Sequence, residues 1–225
     1  LKAAVAEFIA TFALIFVGAG SVIMAGPSGS GLVGVALAHG LVLAIMVSAT
    51  LHVSGGSVNP AVTIGLWAAG KLSSAKAVVY VAAELAGGIV GALLLRGLVP
   101  GEYWRPADLG APALVPTIGT GKGVLIEALL TFFLVFVVFA TAVDERGAAS
   151  KVSGLAIGLV LTFDILACGP LTGAAVNPAR AFGPEVALGH FTDWWVYWVG
   201  PMAGGIIAGV LYWGVFLRDA EPVTP

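Results

Sequence analysis

Six stretches of this chain stay apolar for about twenty residues each, the length at which a helix crosses a bilayer core of roughly 30 Å. They run Ala3 to Ala25, Leu32 to about Leu51, Ala77 to about Leu98, Val124 to Val143, Val152 to about Gly169 and Trp194 to Leu217. A water-soluble domain of 225 residues could not bury so much apolar surface. Hydrophobic residues make up 59% of the chain, charged residues 10%, and the mean hydropathy is +1.04. The predicted class is therefore an all-α membrane protein lying in a lipid bilayer. Leu1 already stands near the start of an apolar helix, so no cleavable leader is expected.

Two shorter segments interrupt the spans, Ser57-Val58-Asn59-Pro60-Ala61 and Ala175-Val176-Asn177-Pro178-Ala179-Arg180. Asn is a strong helix N-cap, and Pro fits the first helical position, where its missing N–H costs nothing. Each Asn-Pro pair should open a short helix, Pro60 to about Ala69 and Pro178 to about Leu188, with Gly70 and Gly189 as stops. Ten or so residues give roughly 15 Å, half a bilayer core. Two such half-helices meeting tip to tip from opposite sides would span the membrane once.

The two halves of the chain are copies. Ala6-Glu7-Phe8 with Thr11-Phe12 is answered by Ile126-Glu127-Ala128 with Thr131-Phe132; Glu7 precedes Asn59 by 52 residues and Glu127 precedes Asn177 by 50. Three spans per copy is an odd number, so the second copy must enter the membrane upside down. The expected organisation is one channel domain over residues 1–225: six spans, two re-entrant half-helices, and inverted repeats at about 1–98 and 122–217. Lys2, Lys71, Lys76, Arg146, Lys151 and Arg218 fall on one side, Arg96, Arg105 and Lys122 on the other. That bias puts both termini in the cytoplasm. Arg218 to Pro225 reads as a polar tail.

A half-helix N-terminus leaves backbone N–H groups unpaired and carries roughly half a positive charge. Two of them facing each other make a positive barrier at the centre of a pore, where the Asn59 and Asn177 amides offer further N–H donors. A water molecule there turns its oxygen to the donors and cannot relay a proton, and a cation meets both dipoles. The arrangement suits a small neutral solute. Arg180, one turn into the second half-helix, is expected to act as a donor and cation-repelling charge at a narrow filter; an ion pair with Glu185 is the structural alternative. Glu7 and Glu127 should each brace the irregular loop of their own half, accepting from its exposed N–H groups.

His39 and Asp164 are further polar groups at membrane depth. His52 reads as a hydrogen-bonding support for the first loop and His190 as a surface residue. The three histidines share no metal-ligand spacing, the glycines form no phosphate loop, and no nucleophile has a base, so no enzyme, cofactor or metal is expected. A net charge of −2 leaves no basic face for nucleic acid. The lone Cys168 excludes an intramolecular disulfide. Glycines within helices, Gly87-Gly88, Gly91 and Gly204-Gly205, should permit close crossings.

Taken together, Ala6-Glu7-Phe8, His52-Val53-Ser54-Gly55-Gly56, both Asn-Pro-Ala motifs, Arg180-Ala181-Phe182-Gly183-Pro184 and Tyr197-Trp198-Val199-Gly200-Pro201 resemble the aquaporin (major intrinsic protein) family over essentially the whole chain. The resemblance implies a six-span hourglass, a homotetramer with one pore per subunit, and passive conduction of water or small neutral solutes. Counting from Asn59, Pro60 and Ala61 and from Asn177, Pro178 and Ala179 carries the family's filter onto His39, Ile165, Ala174 and Arg180. Water-selective members usually place an aromatic residue in the second span and His in the fifth. His39 with the aliphatic Ile165 is instead similar to the plant tonoplast members, some of which pass ammonia, urea or hydrogen peroxide. Ala181 stands where glycerol-conducting members have Asp, which ranks glycerol low.

Four positions depart from the family pattern: Glu84, where Gln is common; Asp164, expected as a protonated or hydrogen-bonded carboxyl behind the pore wall; Glu185, usually Ala; and Ala174, in place of a mercurial-sensitive cysteine. Short loops suit a prokaryotic plasma membrane, which is the location expected, with the vacuolar membrane as the alternative. The functional expectation is a water channel that also passes ammonia. Its alternatives are a broader facilitator of peroxide, urea or glycerol, an ion-coupled secondary transporter, or a junction protein with a closed pore.

Overall fold

The computed structural model describes residues 1–147 and 151–218, so residues 219–225 of the expected polar tail lie outside the described residues. Nine helices follow in chain order among the described residues: α1 (Lys2–Ser28), α2 (Gly31–Ser54), α3 (Pro60–Ala68), α4 (Ser74–Leu98), α5 (Gly101–Trp104), α6 (Thr120–Val138), α7 (Ser153–Thr172), α8 (Pro178–Leu188) and α9 (Val196–Tyr212). Six of these, α1, α2, α4, α6, α7 and α9, are long and apolar enough to cross a membrane, with mean hydropathy from 1.5 to 2.6. Their outer faces carry large apolar side chains, among them Ile45, Val78 and Leu125, each more than half exposed. Lipid, and not water, is the solvent such a surface fits.

The helices start and stop for local reasons. Ser73 caps α4 by accepting from Lys76 N, and Asn59 and Asn177 cap α3 and α8 with Pro at the first turn. Left-handed glycines at Gly29, Gly55, Gly173 and Gly189 end α1, α2, α7 and α8. Two spans outrun their expected ends at Ala25 and about Gly169: α1 runs through Pro27 to Ser28 and α7 through Pro170 to Thr172. Each proline sits within the last turns, where a lost N–H bond and a ring clash interrupt little remaining helix. Both α6 and α9 finish in a π turn, Phe139–Val143 and Trp213–Leu217.

The inverted repeat governs the packing. Helix α1 lies against α4 as α6 lies against α9, and the two second spans, α2 and α7, cross each other. At that crossing Gly40 and Gly158 face one another so closely that a methyl on Gly40 would stand 2.6 Å from the Gly158 carbonyl oxygen. The half-helices are exchanged: α3 packs on α9 of the other half, and α8 on α4. Missing side chains allow both contacts. A methyl on Gly88 would sit 2.7 Å from Ala179 O, and one on Gly205 would sit 2.5 Å from Ala61 O. The expected close approach at Gly87-Gly88, Gly91 and Gly204-Gly205 is therefore present, with α1, α6, α3 and α8 as the neighbours. Arg96 at the end of α4 donates to the Ala187 carbonyl near the end of α8.

The α4–α6 connection, rich in Pro and Gly, holds α5 and a 3-10 turn at Asp108–Gly110, and pairs Val115 N with Leu171 O at 2.9 Å. It folds back over α1 and α8.

Candidate functional site

The loops that precede α3 and α8 meet at the centre of the molecule. In each, the Asn side chain does two things. Asn59 Oδ1 accepts from Ala61 N at 2.8 Å, which caps α3, while Asn59 Nδ2 donates across to Val176 O at 2.8 Å. Asn177 Oδ1 accepts from Ala179 N at 2.9 Å and Arg180 N at 3.3 Å, and its Nδ2 donates to Val58 O at 2.9 Å. A side-chain amide has two N–H groups. One of each pair is spent on the opposite loop, which leaves one on each Asn for a solute. The caps fix where those donors point.

Both loops hold backbone that an L-residue adopts reluctantly. Val58 and Val176 have φ of 54° and 47°, and Ala174 has 44°. For a β-branched residue this is strained and must be held from outside. The carboxylates do so. Glu7 accepts from Ser57 N (3.1 Å) and Val58 N (2.7 Å); Glu127 accepts from Ala175 N (3.0 Å), Val176 N (2.7 Å) and the Thr172 hydroxyl (2.7 Å). Both are fully buried. The N–H groups that irregular backbone would leave bare at membrane depth thus have acceptors.

The contacts of three residues were not foreseen. Glu84 reaches the first loop, accepting from Thr63 Oγ1 at 2.7 Å and Asn59 N at 3.3 Å, so two carboxylates serve α3 and its loop against one for α8. Tyr80 donates to Ser54 O at 2.9 Å and Tyr197 to Thr172 O at 3.0 Å. Each tyrosine comes from the last span of its half and satisfies the final carbonyl of the second span, an orphan at any helix C-terminus. The signals were present, a charge in an apolar span and a tyrosine at the same place in each repeat, but the partners lie far away in sequence.

Three of the four filter positions border one or both of two spaces. His39, Leu43, Ser57, Asn59, Asn177 and Arg180 are among the residues lining a narrow central cavity with about 20 Å³ open to water centres, room for one or two waters. Arg180 also borders a wider mouth of about 450 Å³ with Leu32, Val35, Pro112 and Ile165. Arg180 therefore stands where wide meets narrow. Its guanidinium donates to Gly110 O at 2.8 Å, a carbonyl supplied by the 3-10 turn of the α4–α6 connection. Among the described residues the ion pair formed is Arg146–Asp144 at 2.7 Å, so the alternative pairing of Arg180 with Glu185 is absent. His39 is buried, its Nδ1 2.9 Å from Val35 O. A carbonyl only accepts, so Nδ1 carries the proton, and Nε2 has no protein partner. Ala174 is buried in the loop with its N–H on Thr172 Oγ1 (3.1 Å) and borders neither space.

Other expectations shift. His52 is exposed and its side chain makes no hydrogen bond among the described residues, so it does not support the first loop. His190 is exposed, as expected, with Nε2 2.6 Å from Thr192 Oγ1. Asp164 is fully buried outside both spaces, and neither oxygen has a protein partner among the described residues, so the hydrogen-bonded version of that expectation fails. Both Glu185 oxygens are likewise without a partner.

Known proteins match the chain throughout. The family profile described as "Major intrinsic protein" matches residues 1–212. "Aquaporin TIP4-4" of Zea mays is 48% identical over 99% of this chain and 90% of its own length. "Aquaporin TIP2-1" of Arabidopsis thaliana is 42% identical over 99% and 90%. A solved structure, "X-ray structure of the aquaglyceroporin from Plasmodium falciparum", superposes with a TM-score of 0.86 at 26% identity, covering 96% of this chain and 97% of that one.

Proposed function

The chain belongs to the major intrinsic protein family and is a passive water channel, not an enzyme, and from that premise we propose that its pore also conducts ammonia while rejecting protons and ions. The observation that carries this reading is the reciprocal pair of bonds from Asn59 Nδ2 to Val176 O and from Asn177 Nδ2 to Val58 O. It leaves two N–H donors and two helix N-termini at one point of a narrow cavity. A water passing there accepts from the amides and holds its own hydrogens away from its neighbours, so a proton relay along the file is broken. The positive ends of α3 and α8 oppose any cation.

Selectivity for size falls to Arg180, His39 and Ile165, with Ala174 setting the approach of the loop. Arg180 is immobilised by Gly110 O and supplies both charge and donors. His39 lines the cavity with its ring edge against Gly18 and keeps Nε2 as an acceptor without a protein partner, the kind of group an ammonia N–H needs. Ile165 adds apolar wall and no competing bond. Glu7 and Glu127 have a positioning role, holding the loops so that the Asn pair stays aligned.

The chain is an integral membrane protein. The expected plasma membrane finds no support in the relatives named above from Zea mays and Arabidopsis thaliana, both TIP aquaporins of plants, and a vacuolar membrane is the location adopted. The bias of Lys and Arg supports cytoplasmic termini. A homotetramer, each subunit with its own pore, is the assembly the resemblance implies.

Stopped-flow light scattering on proteoliposomes tests the reading. Water flux above that of empty vesicles, ammonia uptake registered by internal alkalinisation, and no proton leak under an imposed potential are expected. Water flux equal to empty vesicles, from protein that remains folded, would overturn it.

A further inference from the structure

We propose that the Ser57 hydroxyl is a solute-contacting group of the pore, a hydrogen-bonding station on the α3 side of the Asn pair; the proposal rests on the water-channel reading above. The two central loops repeat one another in backbone. Gly55 and Gly173 have φ of 97° and 84°, Gly56 and Ala174 have 61° and 44°, and Val58 and Val176 have 54° and 47°. A buried carboxylate holds each loop by the same two N–H groups, those of Ser57 and Val58 in one and Ala175 and Val176 in the other. Ser57 and Ala175 are thus equivalent positions, and both line the central cavity. One carries a hydroxyl and the other a methyl.

That hydroxyl has no structural employment. The Ser57 N–H is already bound to Glu7 at 3.1 Å, the residue is 4% exposed, and Oγ has no hydrogen-bond partner. A buried polar group without a partner is costly and calls for an explanation. The surroundings supply one. Around Ser57 the cavity wall includes Val62 of α3, Val138 at the end of α6 and Ile157 near the start of α7, all at the same end of the pore and all apolar. The remaining polar side chains on the wall, His39, Arg180 and the two Asn, belong to the filter and the centre. A molecule leaving the Asn donors toward that end meets a stretch in which Ser57 is the side chain that can both donate and accept. The permeating molecule is the missing partner.

Single-channel water permeability and its activation energy, measured on proteoliposomes with protein quantified, test this. Ser57→Ala should lower the permeability about fivefold, the effect of one lost hydrogen bond at the barrier, and raise the activation energy. Ser57→Cys, of similar size but a weak hydrogen-bonder, should fall likewise. Thermal unfolding of both should match wild type, because the Glu7 bonds to the loop use only backbone. Wild-type permeability and activation energy in Ser57→Ala would overturn the proposal. So would loss of folded protein in both variants, which would assign the hydroxyl to stability. A wild-type channel that moves no water would instead overturn the channel reading itself, and the two failures are separable.

Discussion

Replacing Glu127 by Gln probes how the pore is held together. Glu127 receives three donors, Ala175 N and Thr172 Oγ1 on one oxygen and Val176 N on the other. Glutamine has the same shape but one oxygen. If the oxygen stays with Ala175 and Thr172, the new NH2 faces the Val176 N–H, donor against donor in a dry site. A buried donor left without an acceptor costs about 1–3 kcal/mol, and the two remaining bonds lose their charge assistance. The sum is about 3 kcal/mol, roughly a third of a typical domain's stability. Val176, at φ 47°, then has reason to relax, and with it goes the carbonyl that receives Asn59 Nδ2. The variant should melt well below wild type in detergent and conduct little water in vesicles. Glu7→Gln should be milder, since Glu84 still holds Asn59 N and Thr63. A Glu127→Gln protein that melts and conducts like wild type, or a Glu7→Gln that is the worse of the two, would refute the reasoning.

Other perturbations have defined outcomes. Arg180→Val should keep water flow and admit cations or larger solutes, seen as proton or urea flux in the same vesicles, because the charge, the donors and the bulk at the junction of mouth and cavity are removed together. His39→Phe should narrow the cavity and lower ammonia uptake relative to water, since the Nε2 acceptor is lost; an unchanged ratio assigns His39 no contact with solute. Asp144, outside the spans, is held down to about 2 chiefly by its bonds to Arg146. A carboxyl depressed in the folded protein stabilises it above the unfolded value and ceases to as pH falls through the folded one. Thermal unfolding of wild type and Asp144→Asn should therefore differ at about pH 6 and converge as pH falls from about 4 toward 2. Gly88→Val should not yield folded channel, because the added side chain enters the Ala179 carbonyl where α8 crosses α4.

The spans and half-helices were legible because their signals are local. Apolar length locates a span, and Asn followed by Pro locates a helix start to the residue, as at Pro60 and Pro178. Helix ends in Pro27 and Pro170 were misjudged, since a proline in a final turn costs less than one in the middle. The loop-bracing contacts of Glu7 and Glu127 could be anticipated from the duplication, which gave each a loop to serve. The partner of Arg180 could not. Gly110 O is a backbone atom, 70 residues away, presented by a turn that composition alone makes look like slack chain. Tyr80 and Tyr197, 26 and 25 residues from their partners, were hidden for a related reason: their hydroxyl targets are carbonyls and leave no trace in side-chain identity.

The exchange of α3 onto α9 and of α8 onto α4 has a bearing on how the molecule is made. While only α1 to α4 have left the ribosome, Asn59 lacks its acceptor at Val176 and the small-residue face of α3 at Gly65 has no Gly205 to rest against. The first re-entrant arm therefore has its full set of contacts only once the last span is in place. Either half alone holds one Asn donor and one re-entrant arm, so the central barrier is complete only when both halves stand head to foot.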